Sequence, residues 1–400
     1  MAVFNRANHY LGAFWGAFFL LLYSGCNPID DKSEARGIDI DVFSLNPPAE
    51  YDSLMKCLKP DGRSQCVSFL WFSDIHENVE NLERILDWHR NYRAYFDDIL
   101  ATGDQQSLSY TNDFSWWGQK GADSVLQIIG NHDAWIYESE YEAGDYEGVP
   151  VRKYGAHYIM SQKDVYDLFF SPFVSSWNVT QPQYADSLGL CYYYKDYPNI
   201  RLIMLDCMHY GVADDLDETK KSRQNRWLIN TLSDAKSKSL SVIIGTHYSA
   251  ANSIPTICSY TRPNSTGKYS ERLNSEAYKN VSRFIDEGGD FVCWLAGHGH
   301  YDEIGVLEDD PRQIMIRCAT ANNERWNERH DSDFRFNGTK NQDSFNCISI
   351  DTENKLIYMV KVGADISENG ERKRVLKYCY RDELDEYNRI IHERGLIYSY

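Results

Sequence analysis

The sequence predicts an α/β fold built on parallel strands, and three observations carry that prediction. Five polar blocks stand in fixed order: Asp74-Ile75-His76, Gly103-Asp104, Gly130-Asn131-His132-Asp133, Thr246-His247 and Gly297-His298-Gly299-His300. Each follows a run rich in β-branched and apolar residues, namely Val67 to Phe72, Ile99 to Ala101, Val125 to Ile129, Val242 to Ile244 and Phe291 to Ala296. Stretches with helical spacing separate several of these runs, so helix, strand and polar cluster form a recurring unit. Open α/β sheets bind ligands at the carboxyl ends of their strands, so the five blocks are expected to converge in one crevice.

Residues 1–25 read as an export signal. Arg6 supplies a positive start, Leu11 to Tyr23 is uncharged and mostly apolar, and Ser24-Gly25 precede Cys26. That run is short for a bilayer span. Small residues before a cysteine resemble a bacterial lipobox, with Tyr23 where that pattern usually has Leu. The resemblance implies an exported chain lipid-anchored at Cys26 in the cell envelope, its one tie to a membrane; the alternative is simple secretion. Residues 26–65, with Pro28, Pro47, Pro48 and Pro60, read as a tether, and residues 66–400 as a single domain.

Within that domain Asn78 to Tyr95 has apolar residues at helical spacing with Asn78 as cap, which completes a β-α-β unit with the strand ending at Asp104. Arg226 to Lys236 and Asn274 to Asp286 read as helices leading into the strands that end at His247 and His298. Ala134 to Gly189 and Ser249 to Arg272 are insertions long enough to carry their own structure beside the crevice. Gln313 to Thr320, Phe345 to Asp351 and Leu356 to Val362 read as antiparallel strands added to the parallel part, and Arg381 to Arg394 as a final helix.

A net charge of −18 argues against a nucleic-acid scaffold but is compatible with a small phosphate ester held by metal. The ten cysteines form no C-x-x-C pair. Cys66, Cys207, Cys293, Cys318 and Cys347 fall in strands as small buried hydrophobes, and Cys57 with Cys66 is a candidate bridge.

The chemistry of the blocks is that of a two-metal hydrolase. Two divalent cations about 3.5–4 Å apart need a shared ligand, and a carboxylate suits because its two oxygens can bridge them. Asp104 is the candidate bridge. Asp74, His76 and His300 would complete one position; Asn131, His247 and His298 would complete the other. Ligands two apart on an extended segment face one side, and Gly299 would ease a bend between its histidines. A cation pair lowers the pKa of a bridging water, making hydroxide the nucleophile. His132 would then donate a proton to the leaving alkoxide, with Asp133 orienting its imidazole. His89, His157, His209, His330 and His392 read as surface or core, although His209 follows the strand Leu202 to Cys207 and could face the site. Trp116, Trp117, Trp135, Tyr137 and Tyr158 read as core, with stacking on a substrate as the alternative. Arg325 and Arg329 read as a solvated face, with contact to a phosphate as the alternative.

The series D-x-H, GD, GNH[DE], H and GH-x-H resembles the calcineurin-like metallophosphoesterase superfamily from Asp74 to His300. The resemblance implies a four-layer fold of two mixed sheets packed face to face between helices, and Mn, Fe, Zn or mixtures in the two positions. Gly103-Asp104-Gln105-Gln106-Ser107-Leu108 lacks the second acid and the arginine typical of Ser/Thr protein phosphatases, and Ser107 stands where purple acid phosphatases have a tyrosine ligand. About a hundred residues after His300 leave no room for the C-terminal domain of secreted 5′-nucleotidases. What remains resembles bacterial and sphingomyelinase-like phosphodiesterases. The expected function is hydrolysis of a phosphodiester or phosphomonoester, small or lipid-linked, outside the cytoplasm; the alternative is a surface glycan- or partner-binding protein on the same fold.

Overall fold

Nineteen strands order the described part of the chain. They are β1 (Val67–Phe72), β2 (Asp98–Ala101), β3 (Leu126–Gln127), β4 (Trp135–Tyr137), β5 (Val151–Tyr154), β6 (His157–Met160), β7 (Tyr193–Asp196), β8 (Ile200–Met204), β9 (Ser241–Thr246) and β10 (Ser253–Ile257). There follow β11 (Phe291–Ala296), β12 (Glu303–Leu307), β13 (Ile314–Arg317), β14 (Ser344–Asp351), β15 (Leu356–Gly363), β16 (Val375–Cys379), β17 (Glu383–Leu384), β18 (Ile390–His392) and β19 (Gly395–Ser399). This computed structural model describes residues 49–58, 66–106, 114–137, 151–154, 157–207, 218–249, 253–257, 275–324, 335, 337–338, 341–364, 375–384, 390–392 and 394–399.

Two seven-stranded sheets dominate, in the orders β19-β16-β15-β14-β1-β2-β3 and β10-β12-β13-β11-β9-β8-β7. In the first, β1, β2 and β3 are parallel and β14, β15, β16 and β19 antiparallel. In the second, β8, β9, β11 and β13 are parallel and β7, β12 and β10 antiparallel. Both sheets are therefore mixed, and helices flank them as the α/β reading expects. β1, β9 and β11 are buried at every residue, which explains their nearly continuous apolar sequences: neither face meets water. The sheets meet through side chains: Tyr193 Oη donates to the Gln127 carbonyl (3.0 Å), and the Tyr197 ring lies 5.4 Å edge-on from Phe69. Among the described residues one large core runs from Trp71 and Trp88 to Trp294, with small satellite clusters such as Ala185, Leu190 and Tyr192.

The helix Val79–Tyr92 starts where Asn78 accepts from the Asn81 N–H (3.0 Å), and it buries Leu82, Ile85, Leu86 and Trp88 against the first sheet. Ser275–Asp286 matches its expected span, and Glu218–Ser237 is longer than expected at its start. The insertion after Ala134 carries its own three-stranded sheet, β4-β6-β5. Beyond it Phe169, Phe170, Phe173 and Trp177 pack with Phe114, Trp117 and Tyr193, so this aromatic cluster is core.

Three expectations are corrected. Part of the supposed tether is a helix, Ala49–Leu58, whose Tyr51, Met55 and Leu58 are buried, with Tyr51 edge-on to Trp88 at 4.6 Å. The supposed terminal helix is the strand pair β17–β18 followed by β19, which completes the first sheet by pairing with β16. Cys57 and Cys66 are thiols, not a disulfide. The signal segment, most of the second insertion, His209, His330, Arg325, Arg329 and the side chains of Trp135, Tyr137, His157, Tyr158 and His392 lie outside the description.

Candidate metal centre

All five polar blocks sit at the carboxyl ends of parallel strands: β1, β2, β3, β9 and β11. Their backbones leave the extended conformation at once. Asp74, His76, Asp104, His298 and His300 all have left-handed φ, between 45° and 63°. This corrects the extended picture of ligands two apart: alternate left-handed residues turn both side chains inward. The bend at His298-Gly299-His300 is made by the histidines, since Gly299 is not among the positive-φ glycines. Each such non-glycine residue costs on the order of 1 kcal/mol, so the surrounding structure must hold it there.

Two glycines are required by close approach. A Cβ on Gly103, itself at φ 94°, would lie 2.4 Å from His247 Nδ1; a Cβ on Gly130 would lie 2.1 Å from Asp104 Oδ1. The glycines thus let ligand side chains pack onto neighbouring strand ends, which is why they precede Asp104 and Asn131.

The ligand atoms divide into two groups, each with its members within 4.8 Å of one another: Asp74, His76, Asp104 and His300, and Asp104, His247 and His298. Asp104 belongs to both. One of its oxygens serves both groups, rather than one oxygen each: Oδ2 lies 3.2 Å from His247 Nε2 and 4.0 Å from His76 Nε2, while Oδ1 accepts the His132 N–H (2.8 Å). Asp74 is arranged alike, with Oδ2 accepting the His298 N–H (2.9 Å) and Oδ1 3.1 Å from His300 Nε2. Asn131 Oδ1 joins the second group, 3.1 Å from His247 Nε2.

The donor set fits cations. Asp74 Oδ1 and Asp104 Oδ2 are buried with no hydrogen-bond donor, a costly state for a carboxylate unless a cation faces it. His247 Nδ1 is 2.7 Å from the Thr102 carbonyl, so that nitrogen carries a proton and Nε2, facing Asp104 and Asn131, is the one available to a metal. His76 Nε2 and His300 Nε2 face each other at 3.2 Å. Burial would raise both carboxyls, but His300 beside Asp74, and His247 and then His132 beside Asp104, hold them below the usual carboxylate range. Burial lowers His298 well below its ordinary value and the His247 charge adds to that, leaving a neutral imidazole fit to coordinate. Burial also opposes the charge on His247, yet Asp104 lifts it to about 9: without metal a proton takes the cation's place, and metal binding must displace it.

His132 sits beside the ligands without being needed among them. Its ring meets His76 edge-on, centroids 4.5 Å apart, and its Nε2 is 4.0 Å from Asp104 Oδ2. Asp133 does not have the expected role. Its oxygens accept from the backbone N–H groups of Gln106 (2.8 Å), Asp104 (3.0 Å) and Gly130 (2.7 Å). Asp133 therefore fastens the Gly103-Asp104 loop to the Gly130-Asn131 turn, and the His132 ring takes its orientation from elsewhere. Sequence reasoning also missed Thr102, which fixes the His247 tautomer.

Fold and site together define a protein that binds two metal ions through a shared aspartate. The calcineurin-like phosphoesterase family model matches residues 67–302, more than half of the chain, and the chain belongs to that family. No curated protein matches it by sequence. Solved structures similar to it include a dimetal phosphatase from Danio rerio (13% identity, 79% of this chain and 99% of that one, TM-score 0.45). Others are a predicted phosphoesterase from Streptococcus pneumoniae (9%, 79% and 99%, TM-score 0.30) and a protein of Thermus thermophilus (9%, 74% and 98%, TM-score 0.35). Likeness at these scores adds nothing to the argument from the site.

Proposed function

We propose that this protein hydrolyses a phosphoric ester, diester or monoester, outside the cytoplasm, with His132 as general acid. The observation that carries the reading is a ligand set complete without His132, together with that histidine's place against it. His76, His247 and His300 have side chains at most 3% exposed, whereas His132 is 10% exposed and, like the partly exposed His298, within reach of solvent. When bound, a pair of divalent cations such as Mn, Fe or Zn would supply a nucleophilic water at neutral pH and neutralise charge on the phosphoryl oxygens. Asp104 would be held in common by both cations, and Asp74, His76, Asn131, His247, His298 and His300 would complete their ligand sets. His132 holds a proton at Nε2 for the departing oxygen, which a general acid must reach within hydrogen-bond distance.

The extracytoplasmic setting is supported by the charged start, apolar run and Ser24-Gly25-Cys26 of the first 26 residues. The insertion that begins at Ala134 starts one residue after Asp133, and this closeness in sequence to the candidate centre supports a part for it in substrate choice. Metal-reconstituted protein should hydrolyse bis-p-nitrophenyl phosphate, p-nitrophenyl phosphate or both, and lose that activity on chelation. Hydrolysis of neither at full metal occupancy would count against the proposal and in favour of a binding role.

A further inference from the structure

The loop that carries Asp74 and His76 is pinned along both edges. On one edge its N–H groups donate to the β2 loop: Asp74 to the Gly103 carbonyl (3.0 Å), His76 to Asp104 (3.0 Å) and Glu77 to Gln105 (2.8 Å). On the other, its carbonyls accept from a segment some 245 residues later: Ser73 from the Ala321 N–H (2.8 Å), Asp74 from Thr320 Oγ1 (2.7 Å), and Ile75 and His76 from Asn322 Nδ2 (3.2 and 3.4 Å). The Thr320 hydroxyl also accepts the backbone N–H of Asn322 (3.1 Å), which ties the Thr320 side chain to the Asn322 backbone. Thr320 and Asn322 are themselves buried.

Behind this clamp stands a buried guanidinium. Arg335 donates to the carbonyls of Thr320 (2.7 Å), Ala321 (3.1 Å), Asn341 (3.1 Å) and Gln342 (2.8 Å). Asn81, on the helix that follows the loop, also reaches the Ala321 carbonyl. The loop needs such restraint because Asp74, His76 and Glu77 all take left-handed φ, a conformation that relaxes if its hydrogen bonds are lost. Thr320, Asn322 and Arg335 lie beyond the residues that the family model matches. The first ligand group takes both Asp74 and His76 from this loop, whereas the second takes neither and meets it through one described bond of His298, whose N–H donates to Asp74 Oδ2 (2.9 Å).

We infer that Thr320 and Asn322, braced by Arg335, are positioning residues that set metal affinity chiefly at the Asp74–His76–His300 position and far less at the His247–His298 position. The inference rests on the metal-centre reading but not on ester hydrolysis. Groups that orient ligands without touching metal typically govern affinity by about 10- to 100-fold.

The test is equilibrium titration of the full chain with Mn²⁺, resolving two binding steps, with anomalous diffraction at sub-saturating Mn²⁺ to show which position loses metal. Thr320→Val, nearly isosteric, should weaken one step by about 10- to 100-fold, at the Asp74 side, and leave the other within about threefold. Thr320→Ser, which keeps the hydroxyl, should restore it. If Thr320→Val does not fold, Asn322→Ala should show the same one-sided loss at smaller size. Equal weakening of both steps, no weakening of either, or failure of Thr320→Ser to rescue would overturn the inference. A wild-type chain that takes up two Mn²⁺ but hydrolyses no ester would sink the proposed function alone; one that binds no Mn²⁺ would sink both.

Discussion

Asp104→Asn should empty both metal positions together and reduce ester hydrolysis by about 10³-fold or more. The amide keeps the shape of the side chain and an oxygen able to accept the His132 N–H, so the fold is expected to survive. What it removes is the negative charge on Oδ2, the one oxygen that faces both ligand groups. Without it each cation loses a ligand, and the pair loses the atom that offsets its mutual repulsion. Several kcal/mol of transition-state stabilisation normally comes from such a pair, which is where the factor of about 10³ arises. His247→Ala, by contrast, touches one group and should cost one metal. Metal content per chain after dialysis separates the cases, and two metals retained by Asp104→Asn would show that Asp104 is not the bridge.

His132→Ala should behave in the opposite way, keeping both metals and losing rate. The loss is expected at about 10²- to 10⁴-fold on an alkyl phosphate ester, whose departing oxygen needs a proton. On a p-nitrophenyl ester it should be far smaller, because that group leaves readily as an anion. A leaving-group series measured at saturating metal for both proteins would show the difference as a steeper dependence in the variant. Equal turnover of wild type and variant on the alkyl ester would remove His132 from the chemistry, whatever its distance from Asp104.

The residues that gather at the candidate metal centre were legible in the sequence because a strand end followed by Asp, His or Asn is a local pattern, and five in order constrain one another. The helix at Val79–Tyr92 was legible for a like reason: cap, period and buried face all lie within one stretch. What sequence did not show is how the loops turn, since Asp and His favour left-handed φ more than most residues but do not specify it at Asp74 or His300. Nor did it show the partners of Asp133, because backbone N–H groups are invisible to motif reading. The Thr320–Asn322 clamp lay hidden because its targets are carbonyls far away in sequence. Ala49–Leu58 was a different failure: Tyr51, Leu54, Met55 and Leu58 carry helical spacing, but Pro47 and Pro48 drew the reading toward a linker. Prolines there precede the helix without interrupting it. In the tail, charged and aromatic residues with some helical period lost to strand pairing, β17 with β18 inside the expected helix and β19 with the edge of β16 just beyond it.

The central claim is that one oxygen of Asp104 lies between two cations. Anomalous diffraction from crystals grown with saturating Mn²⁺ tests it most directly. Two peaks about 3.5–4 Å apart, flanking Asp104 Oδ2, with Asp74, His76 and His300 around one and Asn131, His247 and His298 around the other, are the predicted result. A single peak, or two peaks that do not share Asp104, would contradict it.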